Sequence, residues 1–266
     1  AVGISPHAPY TVSEPLLAAV AQRADREQRR VAMHVGESAE ERMFVEEGRG
    51  PFADQLRGRG IPVAAHGVSP IAWALRGGLA AVQPLLIHCV RGDQHDFEAA
   101  ARCGASIAHC PWSNQLLGNG RAPLQLMKDS GVNVGVGTDS VAAGNTFDLF
   151  AEQRLAAMGA ALTPNERLRL ITAAAADALG IADTGRLAGG AWGDLCAVSL
   201  RGPGFAAARD IEAALATSAG ASDVTATWVA GRLVYQDGEW PGVDAGAERE
   251  AFAAASAAAR RLKAER

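Results

Sequence analysis

The chain has 266 residues, enough to bury one large α/β core, or one such core with a small appendage. Its hydrophobic content of 48% fits a globular protein, and a net charge of -4 with scattered Lys and Arg leaves no electrostatic footprint for nucleic acid. It contains no basic-then-apolar leader and no apolar run of roughly 18 residues, so neither secretion nor membrane spanning is expected.

In chain order, short apolar runs alternate with longer amphipathic ones. Strands are predicted near residues 2–6, 31–36, 84–89, 105–109 and 132–137, and helices near 13–28, 69–77, 93–103, 121–130 and 145–158. Such alternation points to parallel βα units. Ser13, Glu14 and Pro15 open the first helix, and Ser38-Ala-Glu-Glu41 reads as a capping box in which hydroxyl and carboxylate satisfy free backbone N–H groups. Thr163-Pro-Asn-Glu166 supplies an N-cap, a proline at the first helical position and a glutamate at the third, so a helix starts at about 164. After Ala182 a glycine-rich turn region leads to strand candidates at 195–200, 223–230 and 232–235 and a final Ala-rich helix at 244–264. The expected division is therefore residues 1–182 as the main body and 183–266 as a small β appendage with a terminal helix. Arg260, Arg261 and Lys263 read as the solvated end of that helix.

Cys89, Cys103, Cys110 and Cys196 form no C-x-x-C pair and no regular framework. Each reads as a small buried apolar side chain, in a reduced, cytoplasmic setting.

Single polar residues end several of the apolar runs: His34 and Glu37 after Val31-Ala-Met, His88 after Pro84-Leu-Leu-Ile, and Asp139 after Val132-Asn-Val-Gly-Val-Gly-Thr. In a barrel of parallel strands those ends converge on one face, where catalytic groups collect. A zinc-type ion accepts neutral imidazole, and a carboxylate that is not a ligand can relay protons from the bound water. Each residue also has a plainer reading: His34 and His88 as core histidines, Glu37 as a helix-capping acid, and Asp139 as a turn or cap residue. His109 is equally open between supporting the site and holding the fold, and His7 reads as a substrate hydrogen-bonder. His66, on the Pro62–Pro70 loop, is a weaker candidate for lining the pocket, and His95 reads as solvated. Neither G-x-x-x-x-G-K-[ST] nor G-x-G-x-x-G occurs, and both G-x-S-x-G and the H-x-E with P-C-x-x-C deaminase signature are absent.

Six segments stand in a shared order: Pro6-His-Ala-Pro-Tyr10, His34-Val-Gly-Glu37, His88-Cys-Val90, His109-Cys-Pro-Trp-Ser-Asn114, Gly118-Asn-Gly-Arg-Ala-Pro123 and Gly135-Val-Gly-Thr-Asp139. Together they resemble the amidohydrolase superfamily, in its branch of metal-dependent deaminases and chlorohydrolases. The likeness is strongest to the 5′-methylthioadenosine/S-adenosylhomocysteine deaminases and the aminodeoxyfutalosine deaminases. It implies an α/β fold, a (β/α)8 TIM-type barrel of which this chain holds strands four to eight. It also implies hydrolytic deamination of an adenine-type nucleoside, with one divalent metal, zinc or else iron or manganese. Under that resemblance His34 and Asp139 bind the metal and Glu37, His88 and Asp139 are catalytic. Glu37 is then the proton shuttle that contacts the heterocycle, His88 orients the hydroxide, and His7, Glu37 and Asn114 meet the substrate. The implied partners are a small nucleoside-like molecule and further copies of the chain as a homo-oligomer, with no nucleic acid and no membrane.

The family's first strand carries an H-x-H pair of ligands, and no H-x-H occurs here. The expectation is a C-terminal part of a longer protein that lacks activity by itself. Dechlorination or deamination of another N-heterocycle, such as a triazine or guanine, is the rival activity, and a non-catalytic binding role the rival class.

Overall fold

The structure is a computed structural model that describes residues 2–144 and 147–264. Ala1, at the head of the first expected strand, and residues 145–146, which open the expected 145–158 helix, lie outside it; so does the side chain of Lys263.

The elements follow the expected alternation, with several short helices added. In chain order they begin α1 (Glu14–Arg26), β1 (Ala32–Val35), α2 (Ala39–Glu47), α3 (Pro51–Gly58), α4 (Pro70–Arg76), β2 (Leu85–His88) and α5 (Gln94–Arg102). Next come β3 (Ser106–His109), α6 (Pro111–Leu116), α7 (Leu124–Asp129), β4 (Asn133–Val136), α8 (Val141–Gly144), α9 (Leu149–Ala157), α10 (Pro164–Arg169) and α11 (Ala173–Leu179). The chain closes with β5 (Leu195–Val198), α12 (Ile211–Ser218), β6 (Val224–Val229), β7 (Arg232–Gln236) and α13 (Ala245–Ala264). Among the described residues no helix is long and apolar enough to cross a membrane.

β1 to β4 form one parallel sheet in sequence order. The 2–6 segment, expected as a strand, contributes a single parallel bridge from Ile4 to Val31 at the β1 edge. At the opposite edge the Val136 N–H donates to Leu170 O at 2.8 Å, which ties the end of α10 to β4.

The two faces of this sheet differ. Met33, Val35, Leu86, Ile107, Val134 and Val136 are buried against Leu17, Ile71, Leu79, Phe97 and Met127, which come from the helical layer. Ala32, His34, Leu85, Ile87 and Ala108, which share the other face by register, are only partly buried. Side chains alternate along a strand, so one face is sealed by helices and the other stands half open. On the open side α11 covers β4, where a Cβ at Gly135 would lie 2.8 Å from Ala175 Cα.

Capping chemistry sets the helix starts. Ser13, Ser38 and Thr163 accept from Leu16, Glu41 and Glu166 N–H groups, and the Thr163–Glu166 pair closes the full box. At Ser38 the expected box is only half made. The Glu41 carboxylate reaches past Ser38 and accepts from Gly36 N–H and Glu37 N–H, both at 2.8 Å.

β5, β6 and β7 form a separate antiparallel sheet. It meets the body through a small cluster of Phe205, Ala214 and Ala219 packed with Phe150 of α9. The four cysteines are free; Cys89 and Cys110 are buried as expected, but Cys196, on β5 at the rim of that thin sheet, is exposed.

Candidate active site

The C-terminal ends of β1, β2 and β4 bring the expected groups together. By register His88 pairs with Val35 and should face the helices. Positive φ angles at His88 (72°) and Cys89 (51°) break the alternation, and the His88 ring centroid lies 5.4 Å from that of His34. Asp139 has φ 58° just past β4. Non-glycine residues seldom adopt this left-handed conformation, and where they do it tends to be at working sites.

The hydrogen bonds assign protons. His34 Nδ1 lies 3.2 Å from His7 O, and the His34 backbone N–H donates to the same carbonyl at 3.0 Å. A carbonyl can only accept, so Nδ1 is the donor, and Nε2 is the nitrogen left available as a ligand. His7 Nδ1 meets Thr11 Oγ1 at 2.8 Å; that hydroxyl donates to Ala8 O, so Nδ1 is the donor in the first contact. The His7 ring is exposed and lies 5.4 Å from His34, centroid to centroid.

Glu37 sits between two partners. The Asn119 side-chain amide donates to its Oε1 at 2.9 Å, and its Oε2 lies 3.7 Å from His88 Nε2. Burial holds the His88 imidazole below the ordinary histidine range, opposed by attraction to Glu37, with nearby His34 adding to the depression and Asp139 opposing it. The Asp139 carboxylate accepts from Ser113 Oγ and from Ser140 N–H, each at 2.7 Å.

Behind these groups lies a second set of buried polar residues. His88 Nδ1 meets Asn114 Oδ1 at 2.9 Å, and Asn114 Nδ2 meets His109 Nδ1 at 3.4 Å. Asn114, expected to meet the substrate, is fully buried with both amide atoms facing imidazoles. Burial takes His109 down to about 3. Glu152 on α9 is buried too; its Oε2 accepts from the Trp112 N–H at 3.0 Å, and burial pushes its pKa up to about 7. Glu41 is likewise raised to about 7 by burial, against the lowering effect of the N–H groups it accepts.

His66 and His95 lie elsewhere. His66 Nδ1 is 3.2 Å from Glu14 Oε1, beside Trp73, in the wall of a cavity of about 660 Å³ that holds none of the four clustered residues. His95 is exposed. The residues that spacing alone missed are Ser113, Asn119, Glu41 and Glu152. The first two lie in quoted motifs; Glu41 was legible only as a helix-capping acid, and Glu152 carries no mark that separates it from ordinary helical glutamates.

As a metal site the cluster is partial. His34 Nε2 and the Asp139 carboxylate are donors of the right chemistry. Among the described residues, however, no group of three or more His, Cys, Asp or Glu could hold an ion. The described cluster thus offers two donors of metal-binding chemistry, fewer than a closed site needs.

Residues 1–234 match the amidohydrolase family. The chain belongs to the amidohydrolase family. It is 33% identical over 239 residues to a 5-methylthioadenosine/S-adenosylhomocysteine deaminase of Pelotomaculum thermopropionicum, covering 87% of this chain and 51% of that protein. An adenosine deaminase of Xanthomonas campestris with bound zinc superposes with a TM-score of 0.80 at 29% identity, over 99% of this chain and 56% of that one. An atrazine chlorohydrolase of Arthrobacter aurescens with zinc superposes at 0.77 and 24% identity over 96% and 53%, a likeness of fold. This amidohydrolase chain thus spans about half the length of the relatives it matches. Its parallel sheet is part of the fold that it shares with those proteins.

Proposed function

We propose that the chain furnishes the proton-handling side of a metal-dependent deaminase acting on an adenine-type nucleoside of the S-adenosylhomocysteine, methylthioadenosine or aminodeoxyfutalosine class. The observation that carries this reading is the meeting of His34, Glu37, His88 and Asp139 at the strand ends, with Glu37 and His88 3.7 Å apart. The relatives named as deaminases support the substrate class.

His34 Nε2 and Asp139 would hold a divalent ion, zinc by the company of relatives, and the ion would acidify a water toward neutrality. Asp139, oriented by Ser113 and Ser140, takes a proton from the nucleophile as it attacks the ring carbon bearing the amine. Glu37, steadied by Asn119, gives a proton to the adjacent ring nitrogen; the proton that Asp139 took from the nucleophile goes to the departing ammonia, and the remaining hydroxyl proton returns to Glu37 as the ring carbonyl forms. His88 fixes the nucleophile against that carbon, and His7 reaches the substrate from the exposed rim. The setting is cytoplasmic.

The test is ammonia and chloride release from the three nucleosides, guanine and a chlorotriazine by a zinc-loaded protein of its relatives' full length that contains this chain, with Glu37→Gln as control. Ammonia from one of the nucleosides, abolished by the substitution, is the expected result. Chloride release without ammonia, or turnover undiminished in Glu37→Gln, would overturn the assignment. Bound metal with no turnover of any compound would reduce the chain to a binding role.

A further inference from the structure

Three consecutive residues of α6 tie the site to the body of the fold. The Trp112 N–H is anchored on the buried Glu152 carboxyl, the Ser113 hydroxyl holds Asp139, and the Asn114 amide meets His88. Of these, Asn114 does something that a merely space-filling residue would not. Its oxygen faces one imidazole nitrogen and its NH2 group faces another, and both rings are buried, which disfavours their charged forms.

We propose that Asn114 is a positioning residue whose amide sets the tautomers of His88 and His109 together, so that His88 presents an unprotonated Nε2 to the catalytic cluster. The amide oxygen has no hydrogen to give, so His88 Nδ1 must carry the proton and its Nε2 is left with a lone pair. The amide nitrogen is only a donor, so His109 Nδ1 must be bare and its proton resides on Nε2. His109 Nε2 is buried without a partner among the described residues. Moving that proton to Nδ1 would set it against the Asn114 NH2 group, so the ring stays in a tautomer that its far side does not reward. Asn114 therefore dictates to both rings.

The inference rests on the deaminase reading for its consequence. A bare His88 Nε2 accepts one O–H of the nucleophilic water while Asp139 accepts the other, which aims the oxygen lone pair at the ring carbon. The opposite tautomer would point an N–H at the same water and turn it away.

The experiment is two-bond ¹H–¹⁵N correlation spectroscopy of the histidine side chains on the 266-residue chain. In the wild type, His88 should show its proton on Nδ1 and His109 on Nε2. Asn114→Asp keeps an oxygen toward His88 but offers His109 an acceptor, so His88 should be unchanged while His109 gains a proton on Nδ1. Asn114→Leu, with folding checked by circular dichroism, should release His88 from its single tautomer. A His88 proton on Nε2 in the wild type, a His109 proton on Nδ1 there, or spectra of His88 and His109 that ignore both substitutions would each overturn the proposal. Should Asn114→Leu not fold, the wild-type and Asn114→Asp spectra decide by themselves. Where turnover is measured, Asn114→Leu should lower kcat by about 10–100-fold with little change in KM, the size seen when a residue orienting a working imidazole is lost. The spectra stand whether or not turnover is found, so failure of the tautomer assignment and failure of the deaminase reading separate.

Discussion

The side-chain amide of Asn119 donates to Glu37 Oε1 at 2.9 Å, joining residues 82 positions apart. That bond leaves Oε2 turned toward His88. Asn119→Ala should leave Glu37 free to rotate and lower kcat by about 10-fold, the worth of one charge-assisted hydrogen bond. Melting temperature should barely move, since the bond lies on the open side of the sheet. An unchanged kcat with a shifted KM would show that Asn119 only contacts substrate.

Glu37 itself should be indispensable to chemistry and irrelevant to metal. Glu37→Gln is expected to lower kcat by about 10²–10⁴-fold, the usual share of a general acid–base group. Zinc content measured by emission spectroscopy should equal that of the parent. Loss of metal in this variant would make Glu37 a ligand.

With His34 and Asp139 as its donors, the 266-residue chain should hold zinc loosely. Dialysis against a chelator should strip it without changing the thermal midpoint, because a weakly bound ion stabilises little by mass action. His34→Ala should abolish what binding remains in a calorimetric titration. A large fall in midpoint on chelation would show a complete shell.

Glu41 gives stability a pH dependence of defined sign. Its folded pKa is about 7 against 4.5 for the free side chain. Between those values the folded state binds more protons than the unfolded one, so stability is greatest at acid pH and falls as pH rises toward 7. Relative to Glu41→Gln, which does not titrate, the parent should lose roughly 2–3 kcal/mol of unfolding free energy between about pH 5 and pH 8. Denaturant midpoints at the two pH values test this, and parallel curves would refute the burial of a titrating carboxyl. The constant offset from the altered contacts to Gly36 and Glu37 cancels in the slope.

Gly135 lies so close to α11 that a side chain must displace backbone, with Ala175 Cα 2.8 Å from the added carbon. Gly135→Ala should cost about 1–3 kcal/mol of stability, as overpacking does. A neutral effect in thermal melts would mean that α11 is not fixed against β4.

The strand ends were legible because each combines an apolar run with one polar residue that has no reason to be there for packing. His34, His88 and Asp139 all stood out in that way, and the six motifs in order added the family. The short helices were less legible. α6 has six residues, too few for a 3.6-residue period to register. α3 starts at a glycine without a side-chain cap, so its beginning carried no signal beyond Pro51. The Ser38–Glu41 spacing suggested a capping box, but sequence cannot tell which N–H groups a carboxylate will choose. Nor can it show the left-handed turn at His88, which residue type disfavours and only the surrounding fold can impose.

The contrast between the two sides of the parallel sheet carries a consequence for how this chain tolerates change. Residues such as Leu86 and Ile107 pack in a dry, crowded layer, where a polar replacement would unfold the domain before any effect on chemistry could be felt. Their neighbours Ile87 and Ala108 look out from the reverse side, where size and polarity can vary at small cost to folding. A saturation scan should find permissive and forbidden positions alternating over Leu85, Leu86 and Ile87 of β2, whereas on β3 only Ala108 should be permissive.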